Sequence, residues 1–372
     1  MDILQEYIKS NIVQSFCITG RPLDPLRIGN GHINDTFLIK VCEGSGHDYV
    51  LQRVNGKVFR NIPGLMENIK RVTSHIRSRI EKMPGSQPDR ECLTLIPAID
   101  GKSYFLDEKG DYWRMYIFIK DSHSCDIVRT AEQAFEGGKA FGCFLAGLAD
   151  LPGGPLNETI PDFHNIEKRL NDFFSITMND PLNRAALAKH EIAFVEKRAC
   201  QMMKIPDLIR TGKIPLRVTH NDTKFNNVLL DEKDRALCII DLDTVMNGCV
   251  HYDFGDSIRT VTNTGAEDEN DLDRVSMDIG LFEAYAKGFL SEMAGHLNGD
   301  EIDNLALSSG LMTFIIGLRF LTDYINGDKY FRIHYPEQNM ARTRAQFKLI
   351  ESMEQQYEQM QGKIDDIIRE CR

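Results

Sequence analysis

Long apolar runs, paired cysteines and an excess of basic charge are all scarce in this chain of 372 residues, and each scarcity removes a class of function. No stretch reads as the roughly 18 unbroken apolar residues that a membrane span needs, so no membrane partner is expected. The nine cysteines, at 17, 42, 92, 125, 143, 200, 238, 249 and 371, show no CxxC spacing, which argues against a disulfide framework and a zinc site. They read as small core residues or inert thiols of a reducing compartment. The opening "MDILQEYIKS" has neither the basic nor the apolar region of a signal peptide, and a cytoplasmic location is expected. Lys and Arg total 44 against 55 Asp and Glu, a formal net charge of −11. That sign disfavours nucleic acid and anionic lipid as partners.

What remains has the composition of an ordinary soluble protein, 42% apolar and 27% charged, in a chain long enough for two lobes. Residues 1–119 are strand-rich. "DTFLIKV", "DYVLQRV", "CLTLIPA", "SYFLDE" and "YWRMYIFI" are short runs of β-branched and aromatic residues between Gly, Asp and Asn turns. One helical pattern, "LMENIKRVTSHIRSRIEKM", interrupts them. From "AEQAFEGGKAFGCFLAGLADL" onward the patterns are mostly helical. The expected fold class is therefore α+β, with a small antiparallel-sheet N-lobe (1–119) and a larger, mainly helical C-lobe (120–372). The switch falls near Tyr116 to Lys120.

The densest chemistry lies in "VTHNDTKFNNVLLDEKDRALCIIDLDTV". Its pattern, His220-x-Asp222-x-Lys224-x-x-Asn227 followed by an apolar strand ending at Asp241, matches the spacing of the protein-kinase catalytic loop. Phosphoryl transfer needs little covalent chemistry from a protein, so positioning and charge neutralisation dominate. That calls for oxygen donors for a hard cation, a carboxylate at the attacking oxygen and cations around the transferred group. On this reading Asp222 faces the acceptor hydroxyl, Asn227 and Asp241 hold Mg²⁺, Lys224 reaches the γ-phosphate of ATP, and His220 braces the loop.

A second kinase-like signal, the Asp-Phe-Gly at 253–255, is a decoy on this spacing. The metal-binding Asp of kinases follows the catalytic Asp by less than about 20 residues, at the end of a short strand. Asp241 lies 19 residues after Asp222 and directly after "ALCII", whereas Asp253 lies 31 after it. The segment at 241–243 reads "DLD" without the Gly, Asn221 stands where protein kinases usually carry Arg, and no Ala-Pro-Glu follows.

"THNDTKFNNVLLD", "IIDLDTV" and "HYDFGDSIR" together resemble the phosphotransferase family that includes aminoglycoside and choline kinases, most closely its N-acetylhexosamine 1-kinase branch. The resemblance implies a bilobal, protein-kinase-like fold and ATP with Mg²⁺. It also implies a structural, lobe-anchoring role for Asp253 and Arg259.

In the N-lobe, "RIGNGHINDTFLIKV" places Gly29 and Gly31 between two strands, as a phosphate-covering loop would; a hairpin turn has the same letters. The following strand should deliver the cation that grips the α and β phosphates. Arg53 is the choice, Gln52 being its alternative if the register slips by one. Its acid partner is expected to be Glu67, with a plain surface ion pair as the other reading. Adenine would be held by backbone groups of the crossover at Tyr116 to Ile119, with Tyr116 and Ile117 leading.

For the acceptor, the acidic run "GAEDENDLDR" reads as a solvated loop. The segment "GLRFLTDYINGDKYFRIHYP" sets Arg319 and Asp323 on one helix face, with Tyr330, Phe331 and Tyr335 close behind. A core helix with a salt-bridged edge is the plainer reading. The resemblance, which extends over nearly the whole chain, implies sugar binding by Arg319 and Tyr330 with His32 near the transferred group. The small-molecule substrate it implies is N-acetylglucosamine or N-acetylgalactosamine, phosphorylated at the anomeric hydroxyl. The alternatives are another hydroxyl acceptor (homoserine, choline, an aminoglycoside or a different sugar) and a nucleotide-binding pseudokinase.

Overall fold

The computed structural model describes residues 3–29, 33–43 and 46–371; Gly31 and His32 lie outside them. The N-terminal part is built on a six-stranded antiparallel sheet. Its strands are β1 (Leu26–Arg27), β2 (Asp35–Ile39), β3 (Tyr49–Val54), β4 (Leu95–Ile96), β5 (Phe105–Leu106) and β6 (Tyr112–Ile117). The order is β1-β2-β3-β6-β4, with β5 pairing the start of β6.

Strand alternation gives this sheet two faces of different character. Phe37, Leu51 and Met115 stand opposite one another across three strands. With Trp113 they pack against Ile8, Ile12, Val13 and Phe16 of the N-terminal helical segment. The other face carries Thr36, Gln52, Val54, Arg114 and Tyr116 and turns toward the rest of the chain, since Val54 and Tyr116 join the core of the second lobe. Helix α1 (Ile62–Ile80) bridges the two: Asn61 caps the Gly64 N–H, and Ile62, Leu65, Met66, Ile69 and Val72 form the buried stripe that a period of 3.6 requires.

The C-terminal part is mainly helical. Helices α2 (Ala131–Gly147), α3 (Val250–Val261), α4 (Ile279–Met293), α5 (Leu305–Asn326) and α6 (Gln338–Gln355) surround two small hairpin-like pairings near the lobe junction. Helices α2 and α4 cross so closely that a Cβ on Gly138 would stand 2.1 Å from Tyr285 O and one on Gly288 2.0 Å from Phe135 O. Contrary to the sequence expectation, α5 is long and apolar enough to cross a membrane, but 78% of its apolar window is buried inside the protein. It is the central core helix of the lobe. The last sheet strand ends at Ile117 and α2 begins at Ala131, so a lobe boundary proposed at 119/120 falls in the segment between them.

Two buried histidines set an acid limit on this fold. Nε2 of His251, in α3, meets Glu301 O at 3.0 Å, and Nε2 of His164 meets Asn221 O at 2.8 Å. Both Nδ1 atoms are buried without a hydrogen-bond partner among the described residues. Burial pushes each pKa down to about 4. Between pH 6.5 and 4 the unfolded chain therefore takes up protons that the native state refuses, and stability falls as the pH drops through that window. At pH 5 the loss is roughly 2 kcal/mol per histidine. We predict that His251→Asn reduces the decline in urea stability between pH 7 and pH 5 by about that amount; an unchanged slope would show that the ring is not held neutral.

Candidate active site

The segment from His220 to Thr244 lies between the lobes and is fixed by hydrogen bonds from both. Its anchor is Asp253, fully buried in the first turn of α3. Asp253 Oδ2 accepts the His220 N–H at 2.8 Å and Oδ1 accepts the Asn221 N–H at 2.7 Å. Thr223 Oγ1 donates to Asp253 O at 2.6 Å, and Ser257 Oγ donates to Thr223 O at 3.0 Å. Asn221 can then hold φ +65°, an unusual value for a residue with a side chain. Its amide donates to Thr244 O at 3.0 Å.

The Asp-Phe-Gly tripeptide is thus helical here and holds the loop rather than a metal. Gly255 serves packing: a Cβ there would stand 2.3 Å from Ser308 O of α5. Asp256 and Arg259, one turn on, form a buried pair at 2.7 Å. Burial pushes the Asp253 carboxyl up to about 7 against the pull of its two N–H donors.

His220 is buried, with Nε2 3.0 Å from Ile240 O and the edges of Phe141 and Phe144 against its ring. Its Nδ1 accepts the Asp222 N–H at 3.3 Å. The Asp222 carboxylate then meets Lys224 Nζ at 3.0 Å through Oδ1 and Asn227 Nδ2 at 3.4 Å through Oδ2. Asn227 Nδ2 also donates to Asp222 O at 2.8 Å, which leaves its amide oxygen as the donor atom for a cation. Burial raises the Asp222 pKa, but Lys224, His220 and Arg259 outweigh it and the group ends below the ordinary carboxylate value. It is a weak base, suited to aiming a hydroxyl.

Asp241 adopts φ +58°, ψ +57° at the end of strand 236–239. Asp241 is exposed to solvent on one side, with protein packed around the rest of its carboxyl. Enclosure, then the Asp243 and Asp222 carboxylates, push its pKa up to about 7. Among the described residues no three His, Cys, Asp or Glu side chains cluster as a metal cage. A magnesium site needs no such cage: one or two protein oxygens plus substrate phosphates suffice. Asp241 and the Asn227 amide oxygen fit that requirement, and a cation would relieve the repulsion that raises Asp241.

The N-lobe departs from the sequence reading. Arg53 does not face the cleft. It lies on the outer face beside Trp113, 5.8 Å from the ring centroid, and pairs with Asp35 and with Asp111 at 3.1 Å. Strand register explains this, because Arg53 shares its side of the sheet with Trp113 and Leu51. Gln52 faces the lobe junction, directly opposite Arg114. Glu67 is likewise not Arg53's partner; it accepts from Asn157 Nδ2 at 3.2 Å. Its neighbour Asn68 is the buried one, donating to Val245 O at 3.0 Å. Gly29 turns with φ +78° after β1, as a glycine position should. Tyr116 and Ile117 end β6; Tyr116 is buried and the Ile117 N–H is bonded to Thr94 O.

On the acceptor side, Arg319 and Asp323 do not pair. Asp323 is buried and accepts the Lys329, Tyr330 and Phe331 N–H groups, each at 2.9 Å, which shapes the loop after α5. Arg319 forms no ion pair among the described residues. Its guanidinium lies 5.3 to 5.7 Å from the ring centroids of Phe331, Tyr330 and Phe163 and 3.3 Å from Tyr330 Oη, within electrostatic reach of Asp222. The acidic run is less solvated than expected: Asp268 binds Tyr335 Oη at 2.9 Å and Gln338 at 2.7 Å, and Glu267 pairs with Arg342 at 3.3 Å. Arg114 and Phe163 escaped the sequence reading. A charge inside the apolar strand "YWRMYIFI" was the available signal for the first; nothing local marks the second.

A strand-rich lobe over a helical one, with a carboxylate, an amide and a lysine on one braced loop between them, defines a phosphotransferase of kinase-like architecture. Residues 25–287 match the model of the phosphotransferase enzyme family. The chain belongs to that family, and it is a small-molecule phosphotransferase. Its fold is similar to that of an aminoglycoside phosphotransferase from Alicyclobacillus acidocaldarius (TM-score 0.60, 12% identity, 93% of this chain and 95% of that one). It is also similar to a microcompartment-associated aminopropanol kinase (0.57, 15%, 96% and 98%). A spectinomycin phosphotransferase solved with ADP and spectinomycin is a third (0.54, 13%, 96% and 98%). At such identities the likeness is one of fold.

Two outcomes test this geometry. Asp222→Asn is expected to abolish turnover in a steady-state assay while nucleotide affinity stays within about threefold; substantial residual activity would refute the assignment. Asp253→Asn keeps one acceptor but turns an NH₂ toward the other buried donor. It should cost roughly 1–3 kcal/mol in denaturant unfolding and lower kcat, whereas wild-type values for both would remove Asp253 as the anchor.

Proposed function

We propose that the chain transfers the γ-phosphoryl group of ATP to the anomeric hydroxyl of an N-acetylhexosamine, N-acetylglucosamine or N-acetylgalactosamine, giving the sugar 1-phosphate and ADP in the cytoplasm. The acceptor oxygen forms the new bond to phosphorus as the bond to the bridging oxygen of ADP breaks, and the hydroxyl proton passes to Asp222 or to water. Asp222 aims that hydroxyl, Lys224 moves from Asp222 toward the transferred group, and Asn227 and Asp241 hold the divalent ion. When bound, Mg²⁺ would neutralise the charge of the phosphate oxygens. Gly29 belongs to the loop over the phosphates and the Tyr116–Ile117 crossover to the adenine side.

The observation that carries the acceptor class is Arg319. A guanidinium without a carboxylate partner among the described residues, ringed by Phe163, Tyr330 and Phe331 and felt electrostatically by Asp222, repels an ammonium acceptor. It suits a neutral ring with hydroxyl and carbonyl oxygens. Of the two acids of the 265–274 run that are held by other side chains, Glu267 is paired with Arg342 and Asp268 is bound by Tyr335 and Gln338, so neither hangs free in solution. An anomeric hydroxyl is more acidic than an ordinary alcohol, in keeping with a carboxylate of lowered pKa.

ADP release should be measured across hexosamines, plain hexoses, amino alcohols and aminoglycosides, with product position assigned by phosphorus–proton NMR. N-acetylhexosamines are expected to turn over fastest, with phosphate on C1. Arg319→Met should raise the acceptor KM tenfold to a hundredfold, about the worth of a charged hydrogen bond, with little change in the MgATP KM. Preferred phosphorylation of a cationic acceptor would overturn the acceptor class, and ATP binding without turnover on any acceptor would favour a pseudokinase.

A further inference from the structure

In protein kinases one ion pair, between a strand lysine and a helix glutamate, closes the nucleotide lobe on the metal site. The corresponding strand here offers a neutral residue, Gln52, to the lobe junction, and its charged neighbour Arg53 is spent on the outer face. A cation nevertheless sits at the junction. Arg114, from β6, stands directly opposite Gln52 and is 1% exposed. Its Nη1 contacts Asp243 Oδ1, its Nε donates to Gln52 Oε1 at 2.9 Å, and Gln52 Nε2 donates to Thr36 Oγ1 at 3.1 Å.

The partner carboxylate belongs to the metal-bearing turn. Asp243 lies two residues beyond Asp241, and its second oxygen accepts from Asn34 Nδ2 at 2.7 Å. Asn34 precedes β2, at the end of the segment that begins with Gly29, and its Oδ1 accepts the Asn55 N–H at 3.0 Å. Asn68 of α1 holds the same turn through Val245 O. Three N-lobe elements therefore grip a turn whose other bonds run to the catalytic loop, from Thr244 Oγ1 to His220 O at 2.7 Å and from the Ile240 N–H to Asn227 O at 2.9 Å. With both oxygens committed and the side chain buried, Asp243 is not free to ligate a metal. Asp241 carries that duty among the two acids.

We propose that Arg114 is the positioning residue that joins the lobes of this enzyme: through Asp243 it fixes the turn at Asp241 and the end of the Gly29 segment relative to the sheet, and thereby sets the geometry for metal-bound nucleotide. The proposal rests on the phosphotransfer reading and is independent of the acceptor. A buried guanidinium held by a carboxylate and an amide has one low-energy position, so the turn cannot shift without uncovering two charges. The role differs from mere stability because it acts on the metal complex of the nucleotide rather than on the nucleotide alone.

The test compares ADP and MgADP binding by calorimetry, alongside kcat and thermal unfolding, in four variants. Arg114→Gln should weaken MgADP at least about thirtyfold while metal-free ADP changes less than about threefold, with kcat lowered together with the MgADP affinity. Moving the cation across the strand pair, Gln52→Arg with Arg114→Gln, should recover about tenfold of the lost affinity. Removing both charges at once, Arg114→Met with Asp243→Asn, avoids a lone buried ion and so tests the claim even where Arg114→Gln fails to fold; it should show the same selective loss. Arg53→Gln should bind MgADP as the wild type does. Wild-type MgADP affinity in a folded Arg114→Gln or in the Arg114→Met/Asp243→Asn protein would overturn the inference, as would equal weakening of ADP and MgADP. Failure of the wild-type protein itself to bind MgADP would instead bring down the phosphotransfer reading.

Discussion

The site depends on one buried carboxylate taking two adjacent backbone N–H groups. Asp253 receives His220 and Asn221, and a single helix turn thereby fixes a loop whose Asn221 adopts a sparsely populated backbone angle. Buried polar groups left unpaired are costly, so the loop has one satisfied arrangement. Everything functional follows from it in sequence: His220 reaches Ile240, Thr244 closes on His220, and Asn227 folds back onto Asp222. These bonds hold residues 220–227 in one arrangement, which is what a reaction governed by positioning demands.

Charge is then distributed so that the cleft is poised for a polyanion and a cation together. Asp222 is neutralised by Lys224 and Asp243 by Arg114, while burial and the neighbouring carboxylates press on Asp241 and hold its pKa up at about 7. The uncompensated member of the set is thus the one facing the cleft. On the acceptor side, Arg319 forms no ion pair among the described residues and lies against Phe163, Tyr330 and Phe331.

The loop from His220 to Asn227, which we propose to be catalytic, could be singled out because its spacing is local: four residues within eight, then a strand, then Asp241. Distances along one short segment survive any rearrangement of the rest. The two faces of the sheet were legible in principle from alternation, but Arg53 and Gln52 differ by one residue, and only the pairing with β6 decides which looks inward. The acid expected at Glu67 failed for the same kind of reason. A helix stripe is readable, yet its rotation against a neighbour places Asn68 in the junction and Glu67 at its edge. Arg319 and Asp323 share a helix face as expected, but the backbone that follows claimed Asp323 with three N–H groups, so proximity did not become a pair.

The amino-acid sequence by itself determined the class of chemistry, the two-lobed order of strands and helices, and the identity of the loop that carries Asp222, because these depend on residue types at short fixed spacings. Tertiary structure alone decided which cation meets which carboxylate. Arg114 and Asp243 are 129 residues apart, Asn34 and Asp243 are 209 apart, and no periodicity encodes a contact between elements that meet only when two lobes fold onto each other. The Asp-Phe-Gly tripeptide makes the same distinction: its letters suggest a metal ligand, and the helix that contains it turns that carboxylate toward a backbone instead.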